Sequence, residues 1–331
     1  GEEVTQYTLT NHKGASVSVI DFGGIVTSIV VPDRDGKLAD VNLGFDVVDT
    51  YDGKGGCMGA LIGRVGNRIG GAAFDLEGRH YTLGKNDGEN NLHGGPEGFS
   101  QRMWKAEPIE GKDSDTLRLT LTSPDGDQGF PGKLDVTVDY TWNDACELGI
   151  HYMAVTDKPT LCNMTNHAYF NLDGHDAGTV ENLTLQINAD CVTEADPALI
   201  PTGRLLPQKG LAYDFTELAK TPVDPVMRDA GGVDFNFCAG RDRETKVIAT
   251  LRSPKTGRRM DVITDQPGVQ CYTGQGLDHT GKGGVHYGPY AGVCLETQHY
   301  PDAIHQPHFE SYVLRPQDKY DTFTIFRFTA E

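Results

Sequence analysis

Leu134-Asp135-Val136-Thr137-Val138-Asp139-Tyr140-Thr141-Trp142 alternates apolar and polar residues without a break. Successive side chains on a strand point to opposite faces, so this stretch reads as a strand with one buried face. The same period of two recurs in Leu117, Leu119 and Leu121, in Leu148, Ile150, Tyr152 and Ala154, and in Leu183, Leu185, Ile187 and Ala189. Residues 16–31 are rich in Val and Ile and are interrupted at Gly23-Gly24, as a bulge or bend would interrupt them. Glu77-Gly78, flanked by Phe74-Asp75-Leu76 and Tyr81-Thr82-Leu83, predicts a short hairpin. Ser253-Pro254-Lys255-Thr256-Gly257 predicts another between residues 247–251 and 260–264, and residues 320–329 again read as strand. Helical periodicity is nearly absent; residues 215–220 make a turn or two at most. Many antiparallel strands joined by Gly, Pro and Asn turns predict an all-β chain, a large antiparallel β-sandwich forming one domain over residues 1–331.

Composition narrows the function. With 331 residues, 37% of them hydrophobic, the chain can bury a substantial core. A formal charge of −18 repels nucleic acid and anionic membrane surfaces, argues against a phosphorylated substrate and fits a neutral ligand. No stretch approaches the ~20 apolar residues that span a bilayer, and no charged-then-apolar leader opens the chain. The seven cysteines are scattered and never spaced as C-x-x-C, which predicts reduced thiols in a cytoplasmic protein rather than a disulfide framework or a zinc site. His299, His305 and His308 do not have a recognised ligand spacing. Neither a G-x-G-x-x-G turn nor a phosphate-binding G-x-x-x-x-G-K-[ST] loop is present, so nucleotide binding of either common type is not expected.

Several segments crowd polar or ionisable residues among glycines and aromatics. Thr165-Asn166-His167-Ala168-Tyr169-Phe170-Asn171-Leu172 sets one histidine among amides and flat apolar rings, a mixture that suits a polar, ring-shaped ligand. Taken alone, His167 would more often be a satisfied core histidine. Gly63-Arg64-Val65-Gly66-Asn67-Arg68-Ile69 brings two guanidinium groups and an amide to a glycine-rich bend. In Asn86-Asp87-Gly88-Glu89-Asn90-Asn91-Leu92-His93-Gly94-Gly95 a polar turn ends in a histidine followed by two glycines, which let backbone approach a ligand closely. Asp234 lies between apolar neighbours, Gln270 stands near Tyr272, and Glu296 ends the apolar run 291–295, where a carboxylate is costly unless paired or functional.

Taken in order, these segments resemble the aldose 1-epimerase (galactose mutarotase) family over nearly the whole chain. The resemblance also runs through Phe74-x-Leu76-x-Gly78-x-x-Tyr81-x-Leu83, Gly129-Phe130-Pro131-Gly132, Ile200-Pro201-Thr202-Gly203, residues 267–274 and Leu295-Glu296-Thr297-Gln298 with Pro301-Asp302-Ala303. It implies a supersandwich of the galactose mutarotase type, acting on the anomers of free aldohexoses. By the family pattern His167 is the general acid and Glu296 the general base, while Asn67, Arg68, His93, Asp234 and Gln270 bind sugar hydroxyls or steady the ring oxygen. Two departures stand out: Phe235 occupies a position where the family often has histidine, and His279 follows Asp278 where glycine is usual.

The chemistry needs these residue types. Opening a pyranose hemiacetal requires removing the C1 hydroxyl proton and protonating the ring oxygen, so one base and one acid suffice, each worth ~10²–10⁴-fold. No cofactor, metal or covalent intermediate is called for. On this reading Glu296 is ionised at neutral pH and His167 carries a proton, raised in pKa by neighbouring carboxylates. Arg68 stabilises charge developing on a sugar oxygen, and His93 either acts as a neutral donor or shares the acid role. Tyr169, Phe170 and Tyr272 are candidates to stack on the sugar, although core packing is the commoner fate of such rings. The partner expected is a small sugar, with the protein a monomer or small homo-oligomer. Two other readings compete with this one: a non-catalytic carbohydrate-binding protein, which needs neither acid nor base, and a sugar-phosphate epimerase, which would want more Arg or Lys at the site.

Overall fold

In the computed structural model, which describes residues 3–53, 55–218, 221–240 and 242–331, the alternating stretch lies inside the strand Leu134–Asn143. Leu134, Val136, Val138, Tyr140 and Trp142 are all buried, while Asp135, Thr137 and Thr141 are partly exposed. The strand pairs antiparallel with Ser114–Ser123 on one side and Glu147–Thr156 on the other. The eight-stranded sheet built around it runs Lys105–Ile109, Ser114–Ser123, Leu134–Asn143, Glu147–Thr156, Tyr320–Ala330, Arg258–Thr264, Lys246–Arg252 and Thr184–Ile187. The C-terminal strand Tyr320–Ala330 thus enters the middle of the sheet, bonded to Glu147–Thr156 and Arg258–Thr264.

Two smaller sheets complete the architecture. One is four-stranded, from Gln6–Thr10 to Leu38–Asp40. The other is five-stranded, in the order Pro201–Pro207, Cys191–Ala195, Asp234–Cys238, Gly268–Tyr272 and Cys294–Gln298. One buried cluster joins all three: Val17 and Ile29 from the four-stranded sheet, Leu117, Val138 and Phe326 from the eight-stranded one, and Phe237, Val269, Cys271 and Leu295 from the five-stranded one. This is sheet-on-sheet packing with a shared apolar interior, the expected all-β sandwich. Because side chains alternate along a strand, sending Phe237, Cys271 and Leu295 into this core turns Asp234, Asn236, Gln270 and Glu296 to the opposite face.

The predicted hairpins are present. Leu76 and Arg79 close the turn at Glu77-Gly78, both of which have positive φ (50° and 77°), and Arg252 with Arg258 flank the 253–257 turn. Residues 16–31 differ from expectation: Gly23-Gly24 is a full reversal between Ser16–Ile20 and Ile25–Pro32, which pair with each other, and both glycines take positive φ (65° and 54°). A Cβ on Gly23 would stand 2.4 Å from the Ser100 carbonyl oxygen, so the turn needs glycine for space as well as for φ. Residues 215–218 form no helix, and residues 219–220 lie outside the described residues. Among the described residues the α-helices are short, Val48–Tyr51 and Pro225–Asp229, and no helix is long and apolar enough to cross a membrane.

Candidate active site

On the outer face of the five-stranded sheet, Gln270 and Glu296 stand directly opposite each other in the register, and Asn236 faces Gln270 from the next strand. Asp234, two residues before Asn236, accepts a 2.7 Å hydrogen bond from the Gln270 amide. Loops close over this row. His167 follows the strand Thr165–Asn166; its N–H donates to the Ala60 carbonyl and its carbonyl accepts from Gly59 N–H, both at 2.9 Å. Asn166 fixes the same segment by donating to the Gly59 carbonyl and the Tyr140 hydroxyl. Asn67 and His93 sit at the ends of the paired strands Arg68–Ile69 and Asn91–Leu92, and both take positive φ (61° and 53°). Such φ values are uncommon outside glycine and are held here by mutual bonds: His93 N–H to the Asn67 carbonyl, and Asn67 N–H to His93 Nδ1.

The result is a cavity of about 260 Å³ lined by Asn67, Arg68, His93, His167, Asp234, Gln270 and Glu296 together with Gly56, Cys57, Leu92 and Tyr272. All seven residues expected from the sequence therefore converge. His167 Nε2 lies 3.6 Å from Glu296 Oε1. The rings of His93 and His167 meet edge to face, 5.2 Å between centroids. Glu296 Oε2 is buried with no hydrogen-bond partner among the described residues. Arg68 is already paired through Nε to Asp87, 2.7 Å away.

Burial sets the protonation states, and here the structure corrects the expectation. Glu296 is raised well above the usual carboxylate range, chiefly by loss of solvent and then by the charge of Asp234, with Arg68 opposing. Asp234 is raised for the same first reason. Loss of solvent lowers His167 to about 4 and lowers His93 well below the ordinary imidazole value. In the free protein both members of the His167–Glu296 pair are thus driven towards their uncharged forms, because desolvating an ion pair outweighs its attraction at this separation.

Other expectations change as well. Arg64 does not reach the cavity. It is buried and donates to Ser123 Oγ and to the carbonyls of Ser123, Pro124, Pro131 and Gly132, with a further bond to Thr160 Oγ1. Phe170 packs in the core against Phe326, Tyr169 lies against the His167 ring, and of the three aromatics only Tyr272 lines the cavity. Phe235 points to the core side of its strand and stacks on Tyr213 at 4.6 Å, so the departure there leaves the cavity wall intact. Cys57 carried no individual signal in the sequence, and Asp87, the partner of Arg68, stood out only as part of the polar turn before His93. Donor atoms of His93, His167 and Glu296 lie within 4.8 Å of one another. A metal does not fit them well, because Nδ1 of His93 accepts from Asn67 N–H and leaves the proton on Nε2, the nitrogen a metal would need free.

The aldose 1-epimerase family model matches residues 5–327. The chain therefore belongs to the aldose 1-epimerase family, whose members are isomerases. Among its relatives, the galactose mutarotase of Bos taurus is 40% identical over 316 residues, covering 95% of this chain and 91% of that protein. The aldose 1-epimerase of Escherichia coli (strain K12) is 35% identical over 339 residues, covering 100% and 97%. An aldose epimerase homologue from C. elegans superposes with a TM-score of 0.91 at 30% identity, with 99% of each chain covered.

Proposed function

We propose that this chain interconverts the α and β anomers of free aldohexoses, galactose and glucose among them, with His167 and Glu296 as the acid–base pair. The observation that carries the reading is the 3.6 Å approach of His167 Nε2 to Glu296 Oε1 inside a cavity lined mainly by side chains that can hydrogen-bond. Both oxygens that exchange protons, the C1 hydroxyl and the ring oxygen, are bonded to C1, so an acid and a base this close reach them together. The cavity is slightly below the roughly 300–1,000 Å³ of larger ligand sites, as suits a single monosaccharide.

Ring opening then runs as follows. Glu296 takes the C1 hydroxyl proton, the C1–O5 bond breaks with its electron pair going to O5, and His167 protonates O5. The open-chain aldehyde turns about C1–C2 and the steps reverse on the other face. The pair carries one proton in all. In the free protein it rests on Glu296, where burial favours it. Hydrogen bonds from the sugar's hydroxyls to the carboxylate, with Arg68 nearby, favour its transfer to His167. Arg68, Asn67, Asp234 and Gln270 hold sugar hydroxyls, and His93 donates from Nε2 to a sugar oxygen.

The cavity wall contains two carboxyl side chains and one guanidinium that is already paired, an arrangement that disfavours a sugar phosphate. The single match over residues 5–327 supports one domain, and seven free cysteines support a cytoplasmic setting. Polarimetry of fresh α-D-galactose and α-D-glucose tests the reading. Acceleration by the wild type should be lost in Glu296→Gln and in His167→Asn. A wild type that binds sugar without outpacing the spontaneous reaction would make it a binding protein instead.

A further inference from the structure

On the same face of the Asp234–Cys238 strand, two residues beyond Asn236, Cys238 stands directly opposite Cys191 of the neighbouring antiparallel strand. Residues opposed in such a ladder have Cα atoms roughly 4.5–5.5 Å apart, inside the ~4.4–6.8 Å that a disulfide requires. The two thiols face each other closely enough for each to shift the other's ionisation, Cys191 down and Cys238 up. Cys238 is buried, while Cys191 is partly exposed and so open to a small oxidant.

From this pair a run of amides leads to the cavity. Asn236 Nδ2 donates to Cys238 Sγ at 3.6 Å, and Asn236 Oδ1 accepts from Gln298 Nε2 at 3.4 Å. Gln298 Nε2 also donates to Gln270 Oε1 at 3.5 Å, and Gln270 Nε2 donates to Asp234 Oδ1 at 2.7 Å. Each amide in the run is buried. An amide deprived of one partner in such a place must find another, because an unpaired buried polar group is costly.

We propose that Cys191 and Cys238 are a peroxide-sensitive dithiol that closes to a cross-strand disulfide and, through Asn236, Gln298 and Gln270, weakens the grip of Asp234 on the sugar. The second part rests on the proposed function, which makes Asp234 a sugar contact. The Cys191 thiolate attacks hydrogen peroxide, breaking the O–O bond and releasing hydroxide to give the sulfenic acid. The Cys238 sulfur then attacks the sulfenic sulfur, forming S–S and breaking S–O, and the departing hydroxide leaves with the thiol proton as water. Cys191 is the nucleophile of the pair: it is the more exposed thiol, and the Cys238 thiol opposite lowers its pKa to about 7. By contrast, burial pushes Cys57 up to about 11 and Cys162 up to about 12, and it raises Cys271 and Cys294 too. The disulfide sulfur is a poor acceptor, so Asn236 loses a partner and the amides behind it re-pair.

The test treats the wild-type protein with hydrogen peroxide, maps thiols by peptide mass spectrometry and measures galactose affinity by calorimetry, a readout that does not depend on catalysis. The expected result is a Cys191–Cys238 cross-linked peptide and a Kd for galactose raised about fivefold, both reversed by dithiothreitol and both absent in Cys191→Ser. Sulfinic acid at Cys191 without a cross-link would overturn the dithiol. A cross-link that leaves galactose affinity unchanged would overturn its connection to the cavity. Absence of mutarotation by the reduced protein would count against the proposed activity alone.

Discussion

His93 accepts a 3.1 Å hydrogen bond at Nδ1 from the backbone N–H of Asn67, and this single contact fixes its chemistry. A neutral imidazole has one N–H, so the proton must stand on Nε2. Burial and the facing His167 keep the ring uncharged. This favours His93 as a neutral donor, and the acid role stays with His167 in the proposed mechanism. Nitrogen-15 NMR of the imidazoles should find His93 as the Nε2–H tautomer throughout the neutral range. His93→Ala should lower kcat by about 10²-fold, as loss of one preorganised donor does, without moving the limbs of the pH profile.

The pair His167–Glu296 titrates as a unit, and its limits follow from the two shifts. In the proposed mechanism the active form holds one proton between the two groups. A second proton is taken up only as pH falls through the His167 value of about 4, because burial opposes the imidazolium. The one proton is lost only well above the ordinary carboxylate range, because burial raises Glu296. A plot of kcat/KM against pH should thus stay level through pH 6.5 and fall on the acid side near pH 4. An acid limb at the unperturbed imidazole value would show that His167 is charged in the free protein.

Glu296 also costs the fold stability. Its folded pKa is raised above the unfolded value, so above pH 4.5 the native state binds more protons than the unfolded chain and stability falls as pH rises, until the folded pKa is reached. Glu296→Gln removes this penalty and keeps the shape. Urea melts of the two proteins should coincide near pH 4 and separate with rising pH by roughly 1 kcal/mol per unit, with the variant the more stable. A variant less stable than wild type at pH 8 would mean that the carboxylate has a stabilising partner in the native state.

Much of the molecule was legible because two signals are local. Alternation over Leu134 to Trp142 reports one buried face whatever the partner strands are, and Glu77-Gly78 encodes its turn in two residues. The candidate site residues were legible through the resemblance to the aldose 1-epimerase family; taken singly, His167 and the segments around Arg68 and His93 read at least as well as structural features. What the sequence could not carry is non-local. Whether Arg64 or Arg68 faces the cavity depends on which one finds the carbonyls of residues 123–132, more than fifty positions away. The protonation of His167 and Glu296 is non-local for a related reason: composition reveals the neighbouring charges but not how far the folded loops exclude water.

Arg64 and Arg68, four residues apart, should separate scaffold from site when each is replaced by methionine. Arg64 satisfies four main-chain carbonyls and two hydroxyls that lie buried around it, and burial lowers its own pKa to about 10. Methionine fills the volume but leaves those acceptors without donors, so Arg64→Met should lower the unfolding free energy by about 3–5 kcal/mol. Arg68 makes one partly exposed ion pair with Asp87, the kind worth about 0–1 kcal/mol, so Arg68→Met should leave stability nearly intact. Its effect should fall on the kinetics, with KM for galactose raised because a cavity-lining donor is gone. Denaturant melts and initial-rate polarimetry on the two variants decide the matter, and a large stability loss in Arg68→Met would make that residue scaffold as well.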